Sequence, residues 1–182
     1  MAKLVGVDWY LGPEMKSTGE VMGIDRDFSA ALSKALLAAN LNLTRGMGVL
    51  LSIADRDKAE SLALIRELLR ADCLLYATEG TAAMIDALGL PVTMITKKLS
   101  EGHPNVVDVI EDASVGAVIN TVSESTSVLR DGFDIRRAAV ERRIPCFTSL
   151  DTARAAVESL LMSQGNYNVQ PMIKYLYGVK PR

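Results

Sequence analysis

From Gly48 onward the chain repeats one unit: a short apolar run, a turn and an amphipathic helix. The five apolar runs span residues 48–54, 73–78, 91–96, 116–122 and 145–149. The helices after them span residues 57–71, 80–89, 105–113, 133–143 and 150–164. The runs are continuously apolar, as strands are when helices cover both faces of a sheet. Five such units predict an α/β fold with a doubly wound, five-stranded parallel sheet of the Rossmann-like or flavodoxin-like kind.

The composition is that of one soluble domain with a sizeable core. The 182 residues are about half apolar, and 20 basic against 22 acidic residues give a net charge of −2. A chain of this length buries one substantial core. A protein that binds nucleic acid or a membrane surface would carry a basic stripe, so we expect neither of these partners.

The two cysteines indicate a reducing environment. Cys73 and Cys146 each lie in a predicted strand, and no CxxC motif or Cys/His cluster accompanies them. We therefore expect buried thiols, with no metal, cofactor or disulfide in this chain. No run approaches the roughly 20 apolar residues of a membrane span, and the N-terminus has no signal-peptide core. A cytoplasmic location is the prediction.

Polar side chains follow the predicted strands, at the sheet edge where the carboxyl ends of parallel strands meet. Ligands of doubly wound sheets bind at this edge, where the strand order reverses. Hydroxyls can donate to phosphate oxygens, a glycine allows close backbone approach, helix N-termini supply N–H groups, and lysines neutralise charge. The sequence therefore predicts a phosphate-binding site. Its residues are Ser52, Lys58, Thr78, Gly80, Thr81, Lys98, Asn120 and Thr121.

Plainer interpretations compete with this site. Thr, Ser and Asn before a helix are ordinary N-caps, glycine is ordinary in a βα turn, and loop lysines are usually solvated. Glu79 would repel a phosphate unless its carboxylate points outward. His103 is the single histidine and is interpreted as a rim residue, because it has no evident catalytic partner. Arg136 and Arg137 are interpreted as a solvated helix face with one structural pair.

The chain lacks the motifs of nucleotide-driven chemistry. It contains no Walker A sequence and no GxGxxG sequence. It also offers no acidic pair suited to general acid and base catalysis. The predicted site is therefore one that binds rather than reacts.

The first 25 residues are polar and rich in glycine, and an apolar-faced helix follows at 28–40. Here "GPEMKSTGEVMG" resembles the signature that ends the catalytic half of the carbamoyl-phosphate synthase large subunit. The later segments "LLSIADRDK", "ATEGTA", "KKLSEGHPNVVDVI", "VINTVS" and "DIRRAAVERRIPCFTSLDTA" resemble its C-terminal, methylglyoxal-synthase-like allosteric domain. The resemblance covers essentially the whole chain. It implies a tail of the preceding ATP-grasp catalytic half at 1–25, a connecting helix and linker at 26–47, and a regulatory domain at 48–182.

This resemblance also implies a function. The family's domain binds UMP, IMP and ornithine and regulates carbamoyl phosphate synthesis for pyrimidine and arginine biosynthesis. Lys58 and Lys98 resemble the family's two phosphate-binding lysines. Thr78 and Thr81 resemble its hydroxyl pair, and Asn120 its amide after the fourth strand.

Further positions and partners follow from the same resemblance. Thr148 resembles a position of the ornithine site, at the interface with the catalytic half. Val122 stands where the family commonly has a hydroxyl, which predicts either modestly weaker binding of a phosphate ligand or a different effector preference. The implied partners are the catalytic half of the same subunit, the glutaminase small subunit and further copies of the chain. The full enzyme would be a glutamine-hydrolysing ligase that uses ATP and Mg²⁺, with no catalysis in this part.

Two other functions remain open at this point. A methylglyoxal synthase-type lyase on a small phosphorylated substrate shares the fold. It would need an acid after the fourth strand, where the chain has Asn120, Thr121 and Val122. A docking module without a ligand is the third possibility, because the polar N-terminal segment would lie against a partner surface.

Overall fold

The computed structural model describes residues 21–96, 102–121, 126–163 and 169–177. A 3₁₀ turn at Asp55–Asp57 joins the first strand to the second helix. The elements in chain order are α1 (Phe28–Ala38), β1 (Gly48–Ser52), α2 (Lys58–Arg70), β2 (Leu74–Thr78), α3 (Glu79–Asp86), β3 (Thr93–Ile95), α4 (Val106–Glu111), β4 (Ala117–Asn120), α5 (Thr126–Glu141), β5 (Cys146–Phe147), α6 (Leu150–Ser163) and α7 (Met172–Tyr177).

The five strands form one sheet in the order β3-β2-β1-β4-β5, and all neighbouring pairs are parallel. Helices α2, α3 and α6 contribute buried residues to a core on one face, and α4 and α5 to a core on the other. Strand β1 serves both cores, since Val49 and Leu51 pack on one face and Leu50 on the other. The predicted α/β fold with a doubly wound, five-stranded parallel sheet is confirmed.

The centre of the sheet explains the continuous apolar run that predicted it. All five residues of β1 are buried, and so are all four of β4. In a strand, successive side chains point to opposite faces, so an alternating pattern would leave one face polar. With helices on both faces, every position of a central strand has to be apolar except at its end.

The largest differences from the sequence prediction concern α5, β5 and α7. Helix α5 begins at Thr126, whereas the prediction began it at residue 133. The polar start of this helix has no apolar period, so sequence pattern alone does not reveal it. Strand β5 is only two residues long, and α7 was not predicted because a six-residue helix carries too little periodicity.

The strand order reverses between β1 and β4. These strands are neighbours in the sheet, with Ser52 opposite Asn120, yet α2 after β1 and α5 after β4 pack on opposite faces. The chain therefore diverges at their carboxyl ends and leaves a crevice between the two connections. Crevices of this kind are where doubly wound sheets bind ligands, so the polar residues here form the candidate site.

Helix α1 packs against the helical layer that contains α6. The Ser33 and Ser159 hydroxyls are hydrogen-bonded at 2.7 Å, and Ser159 also donates to the Ser29 carbonyl at 3.1 Å. The division of the chain at residues 25 and 47 stays a prediction, and residues 1–20 lie outside the described residues. Within the part of the chain that the structure describes, no helix is long and apolar enough to cross a membrane.

Candidate functional site

The crevice is lined first by two threonines that hold the backbone after β1. The Ile53 N–H donates to Thr81 Oγ1 at 3.1 Å, and the Ala54 N–H donates to Thr121 Oγ1 at 2.8 Å. Thr81 comes from α3 and Thr121 directly follows β4, so the connection after β1 is fixed from both sides. Both side chains are buried, and both were predicted as site residues.

These bonds leave the two hydroxyls as donors. A threonine hydroxyl has one proton to donate and lone pairs that accept. When a backbone N–H occupies a lone pair, the O–H remains available for an acceptor in the crevice. The structure gives neither hydroxyl another hydrogen-bond partner among the residues it describes. Thr81 and Thr121 can therefore each donate one hydrogen bond to a ligand.

Thr78 lies at the junction of β2 and α3. It occupies the N-cap position of α3 with extended backbone angles, but its side chain makes no capping hydrogen bond. The side chain is nevertheless buried, at 6% exposure. Ordinary helix capping, the plainer interpretation, therefore does not account for this hydroxyl. By contrast, Asp27 and Asn105 do cap α1 and α4 with their side chains.

Lys58 and Gly80 bring the connections after β1 and β2 together. Gly80 is the second residue of α3, which follows β2 directly. A Cβ added at Gly80 would lie 3.2 Å from Lys58 Nζ. The missing side chain lets the ammonium group approach the start of α3. Lys58 Nζ also pairs with Asp55 Oδ1 at 2.7 Å.

Lys58 lies close to the positive ends of two helix dipoles, where the Asp55 carboxylate is its partner. Lys58 is the first residue of α2, and its ammonium group lies beside the first turn of α3. Helix N-termini carry partial positive charge, so a cation there costs a few tenths of a kcal/mol to about 1 kcal/mol. An anion in this position would interact favourably with both N-termini and with the lysine. Because the Asp55 carboxylate already pairs with Lys58, a bound anion would share the ammonium group with Asp55 or replace it.

Asn120 at the end of β4 is held by Arg136, which the sequence pattern placed on a solvated helix face. Arg136 Nη1 of α5 donates to Asn120 Oδ1 at 2.6 Å. The interpretation of Arg136 as part of a solvated face is wrong, because its half-buried side chain turns inward. Arg137, the next residue, forms the predicted structural pair with Glu141 at 2.8 Å on the exposed side. Which arginine points inward depends on the phase of α5, which the sequence did not give.

This contact fixes the orientation of the Asn120 amide. A guanidinium group only donates hydrogen bonds, so the atom facing it is the carbonyl oxygen. The amide nitrogen then faces β1, where Asn120 Nδ2 lies 3.5 Å from the Ser52 carbonyl. The buried Ser52 side chain lies at the end of β1 beside this amide. The groups that Asn120, Thr81, Thr121 and Lys58 present to the crevice are therefore all hydrogen-bond donors.

The other predicted site residues do not join this group. Lys98 lies outside the described residues. Thr148 follows β5 with an exposed side chain, one position beyond the register pair Ile119–Phe147. His103 is at the same edge of the sheet, near the start of α4, with its ring nitrogen Nδ1 bonded to the Asp108 carboxylate. It is a rim residue with a capping partner.

The structure also shows the surroundings of Glu79 and of the two cysteines. Glu79 is the first residue of α3 and is exposed, so its carboxylate is at the favourable end of the helix dipole. Burial raises the pKa of the Cys73 and Cys146 thiols above the ordinary value, and both cysteines are free. Such thiols are unreactive at neutral pH. The described residues include no group of His, Cys, Asp and Glu that could hold a metal ion.

Known proteins resemble this chain over most of its length. A family model described as "MGS-like domain" matches residues 60–148, which contain most of the crevice residues. The carbamoyl phosphate synthase large chain of Thermomicrobium roseum is 55% identical over 175 residues, or 96% of this chain. The chain contains an MGS-like domain. The resemblance to the carbamoyl phosphate synthase large chain is thereby confirmed, and so is the methylglyoxal-synthase-like fold.

A second relative places the MGS-like domain within that protein. The C-terminal section of the carbamoyl phosphate synthase large chain of Methanopyrus kandleri is 46% identical over 158 residues, or 87% of this chain. The chain spans 16% of the length of the first relative and 29% of the second. It corresponds to the MGS-like section of such a large chain.

Proposed function

We propose that this MGS-like domain is an allosteric effector-binding domain that takes a nucleoside monophosphate at the β1–β4 crevice. The observation that carries this proposal is the set of donors at one sheet edge: the Asn120 amide, the Thr81 and Thr121 hydroxyls and the Lys58 ammonium. A ligand that complements such a set is an anion rich in acceptor oxygens, and phosphate is the common example. Thr78 and Lys98 complete the proposed phosphate site.

The identity of the effector follows from the resemblance, with UMP and IMP as the proposed nucleotides. Ornithine is proposed to bind near Thr148, whose exposed position after β5 leaves it accessible to a second protein surface. Because both ligands would act at the same sheet edge, each could change how this edge contacts a neighbouring domain. Coupling then arises from the difference in affinity between the docked and released states.

At the level of the whole enzyme, the domain is proposed to regulate carbamoyl phosphate synthesis for pyrimidine and arginine biosynthesis. Its proposed partners are the catalytic half of the large chain, the glutaminase small subunit and further copies of the chain. ATP and Mg²⁺ would bind to the catalytic half. The proposal keeps the cytoplasmic location that the sequence predicts from its cysteines and hydropathy.

Calorimetric titration of the chain with UMP, IMP and ornithine tests this function. We expect saturable heat from at least one nucleotide and none from uridine, because the phosphate supplies the acceptors that the crevice matches. Equal binding of uridine and UMP, or no binding of any effector, would refute the proposal. The same preparation should be incubated with dihydroxyacetone phosphate, since release of methylglyoxal would establish the lyase alternative instead. A chain that is folded but inert in both assays would support a docking role.

A further inference from the structure

Helix α5 contains a glycine in its interior that needs an explanation. Gly132 is buried in the middle of the sixteen-residue helix Thr126–Glu141. Glycine is less favourable than alanine in a helix interior, because it loses more conformational freedom on folding. The backbone of Gly132 is not in the left-handed region, so local conformation does not require glycine here. Glycine is therefore required here because a side chain would not fit.

The space beside Gly132 is filled by the polar contact between α5 and β4. A Cβ added at Gly132 would lie 2.8 Å from Arg136 Nη1 and 3.3 Å from Asn120 Oδ1. The first distance is shorter than a real Cβ contact allows, so any larger residue would displace the guanidinium group. Gly132 thus makes room for the hydrogen bond of 2.6 Å between Arg136 and Asn120.

Arg136 is also a cation without a carboxylate partner in the part of the chain that the structure describes. Ion pairs in that part involve the neighbouring Arg137 but not Arg136. A half-buried guanidinium group normally gains an acidic partner, because desolvating an unpaired charge is costly. Arg136 reaches the end of β4 from α5, and Lys58 begins α2 in the helical layer on the other face of the sheet.

We propose that Arg136, seated by Gly132 on the carbonyl of Asn120, is the charge-selecting residue of the crevice. It acts as a positioning residue that keeps the Asn120 amide nitrogen directed into the site. Its charge gives the crevice a second cation, so that the site discriminates in favour of doubly charged phosphate monoesters. This inference rests on the proposed function and adds the residue that selects the charge state of the ligand.

The sharpest test is Gly132→Ala, because stability and affinity should move in opposite directions. The new methyl group suits the helix, so the thermal midpoint of unfolding should stay the same or rise. The same methyl group displaces Arg136, so the affinity for UMP should fall by about tenfold, the effect of losing one charged hydrogen bond. Arg136→Gln should lower the affinity by a similar factor, and it serves as the second variant if the first misfolds.

The matched control is Arg137→Gln, which removes the same charge from the next residue but on the exposed side of α5. Its affinity for UMP should stay within about twofold of that of the wild type, because exposed pairs contribute little. Arg136→Lys should recover part of the charge selection but not the planar contact to Asn120.

The pH dependence of binding separates charge selection from a structural role. The second pKa of a phosphate monoester is about 6, so UMP becomes singly charged as the pH falls from about 7.5 to about 5.5. Wild-type affinity should drop steeply over this range, and the drop should be shallower in Arg136→Gln. If both Arg136→Gln and Gly132→Ala bind UMP like the wild type with the same pH profile, the inference is wrong and the proposed function stands. If the wild type binds neither UMP nor IMP, the inference and the proposed function are both wrong.

Discussion

At the residue scale, Thr78 and Thr81 lie three positions apart but differ in what their hydroxyls contribute to the fold. Thr81 accepts the N–H of Ile53 and is almost completely buried, so its oxygen is part of the fold. Thr78 is buried beside it without capping α3, so its hydroxyl contributes little to the fold. The sequence presented the two as an equivalent pair, because spacing shows that they share an edge but not which bonds they form.

Replacing Thr78 by valine should affect binding alone, whereas replacing Thr81 should affect both binding and stability. Thr81→Val leaves the Ile53 N–H without its acceptor, so the free energy of unfolding should fall by about 1–3 kcal/mol. Thr78→Val should change that free energy by less than about 0.5 kcal/mol. It should nevertheless weaken UMP binding by about tenfold, if the hydroxyl donates to the phosphate. Urea unfolding and calorimetry measure the two effects, and a destabilised Thr78→Val chain with unchanged affinity would contradict this assignment.

The residue that sequence reasoning missed is Arg136. Lys58, Thr78, Thr81 and Asn120 could be found because the carboxyl ends of parallel strands meet at one edge. Arg136 lies sixteen positions after Asn120, inside a helix whose start was not recognised. Without that start the facing side of α5 could not be assigned, although the glycine in its interior was a signal of close packing.

At the element scale, the order of the strands shows what a sequence pattern does and does not determine. The repeat from Gly48 gave the number and kind of elements, and the structure confirms it. Pattern does not say which strands are neighbours, so the reversal between β1 and β4 could not be located. That reversal is what brings Ser52 beside Asn120. The site was therefore predictable as an edge, but not as a crevice between two named strands.

Helix α4 begins with a capping box that should be sensitive to acid. Asn105 accepts the N–H groups of Val107 and Asp108, and the Asp108 carboxylate accepts the N–H of Asn105. This backbone N–H, together with the ring of His103, lowers the pKa of Asp108 below its ordinary value. A carboxylate with a lowered folded-state pKa contributes stability above its unfolded-state pKa, and the contribution disappears as the pH falls through the folded-state value.

Asp108→Asn should therefore lower the thermal midpoint at neutral pH, and the difference from the wild type should narrow below about pH 4. Asn105→Ala is the comparison, because asparagine does not titrate. Asn105→Ala should lower the free energy of unfolding by about 1 kcal/mol, and this difference from the wild type should not become smaller in acid. Thermal unfolding over a series of pH values measures both. If the thermal midpoint of Asp108→Asn lies below that of the wild type by the same amount at every pH, this account is contradicted.

At the scale of the whole molecule, Lys34 joins segments from both ends of the described chain. From α1 its ammonium group donates to the Ile24 carbonyl at 2.9 Å and to the Tyr175 hydroxyl at 3.0 Å, and it pairs with Asp25 at 2.7 Å. The hydrogen bond to Lys34 lowers the pKa of Asp25, and that to Asp25 raises the pKa of Lys34. One side chain thus ties the segment before α1 and the helix α7 to the domain.

Lys34→Met should release α7 while leaving the sheet intact. Methionine keeps the aliphatic length but removes every donor, so Tyr175 and Asp25 lose their shared partner. Amide hydrogen exchange should become faster in α7 and remain unchanged in β1 and β4, because local openings are independent of the core. Lys174→Met, at an exposed position of α7, is the control. Unchanged exchange in α7 of the Lys34 variant would show that other contacts hold this helix.

The account as a whole rests on a phosphate that binds where Lys58 approaches the start of α3. The most direct measurement compares UMP binding in two variants of α2 that lose the same charge, Lys58→Met and Arg70→Met, at opposite ends of the helix. Lys58→Met should bind UMP at least about tenfold more weakly than the wild type. Arg70→Met should bind it within about twofold. Equal affinities in the two variants would contradict the placement of the phosphate at this edge.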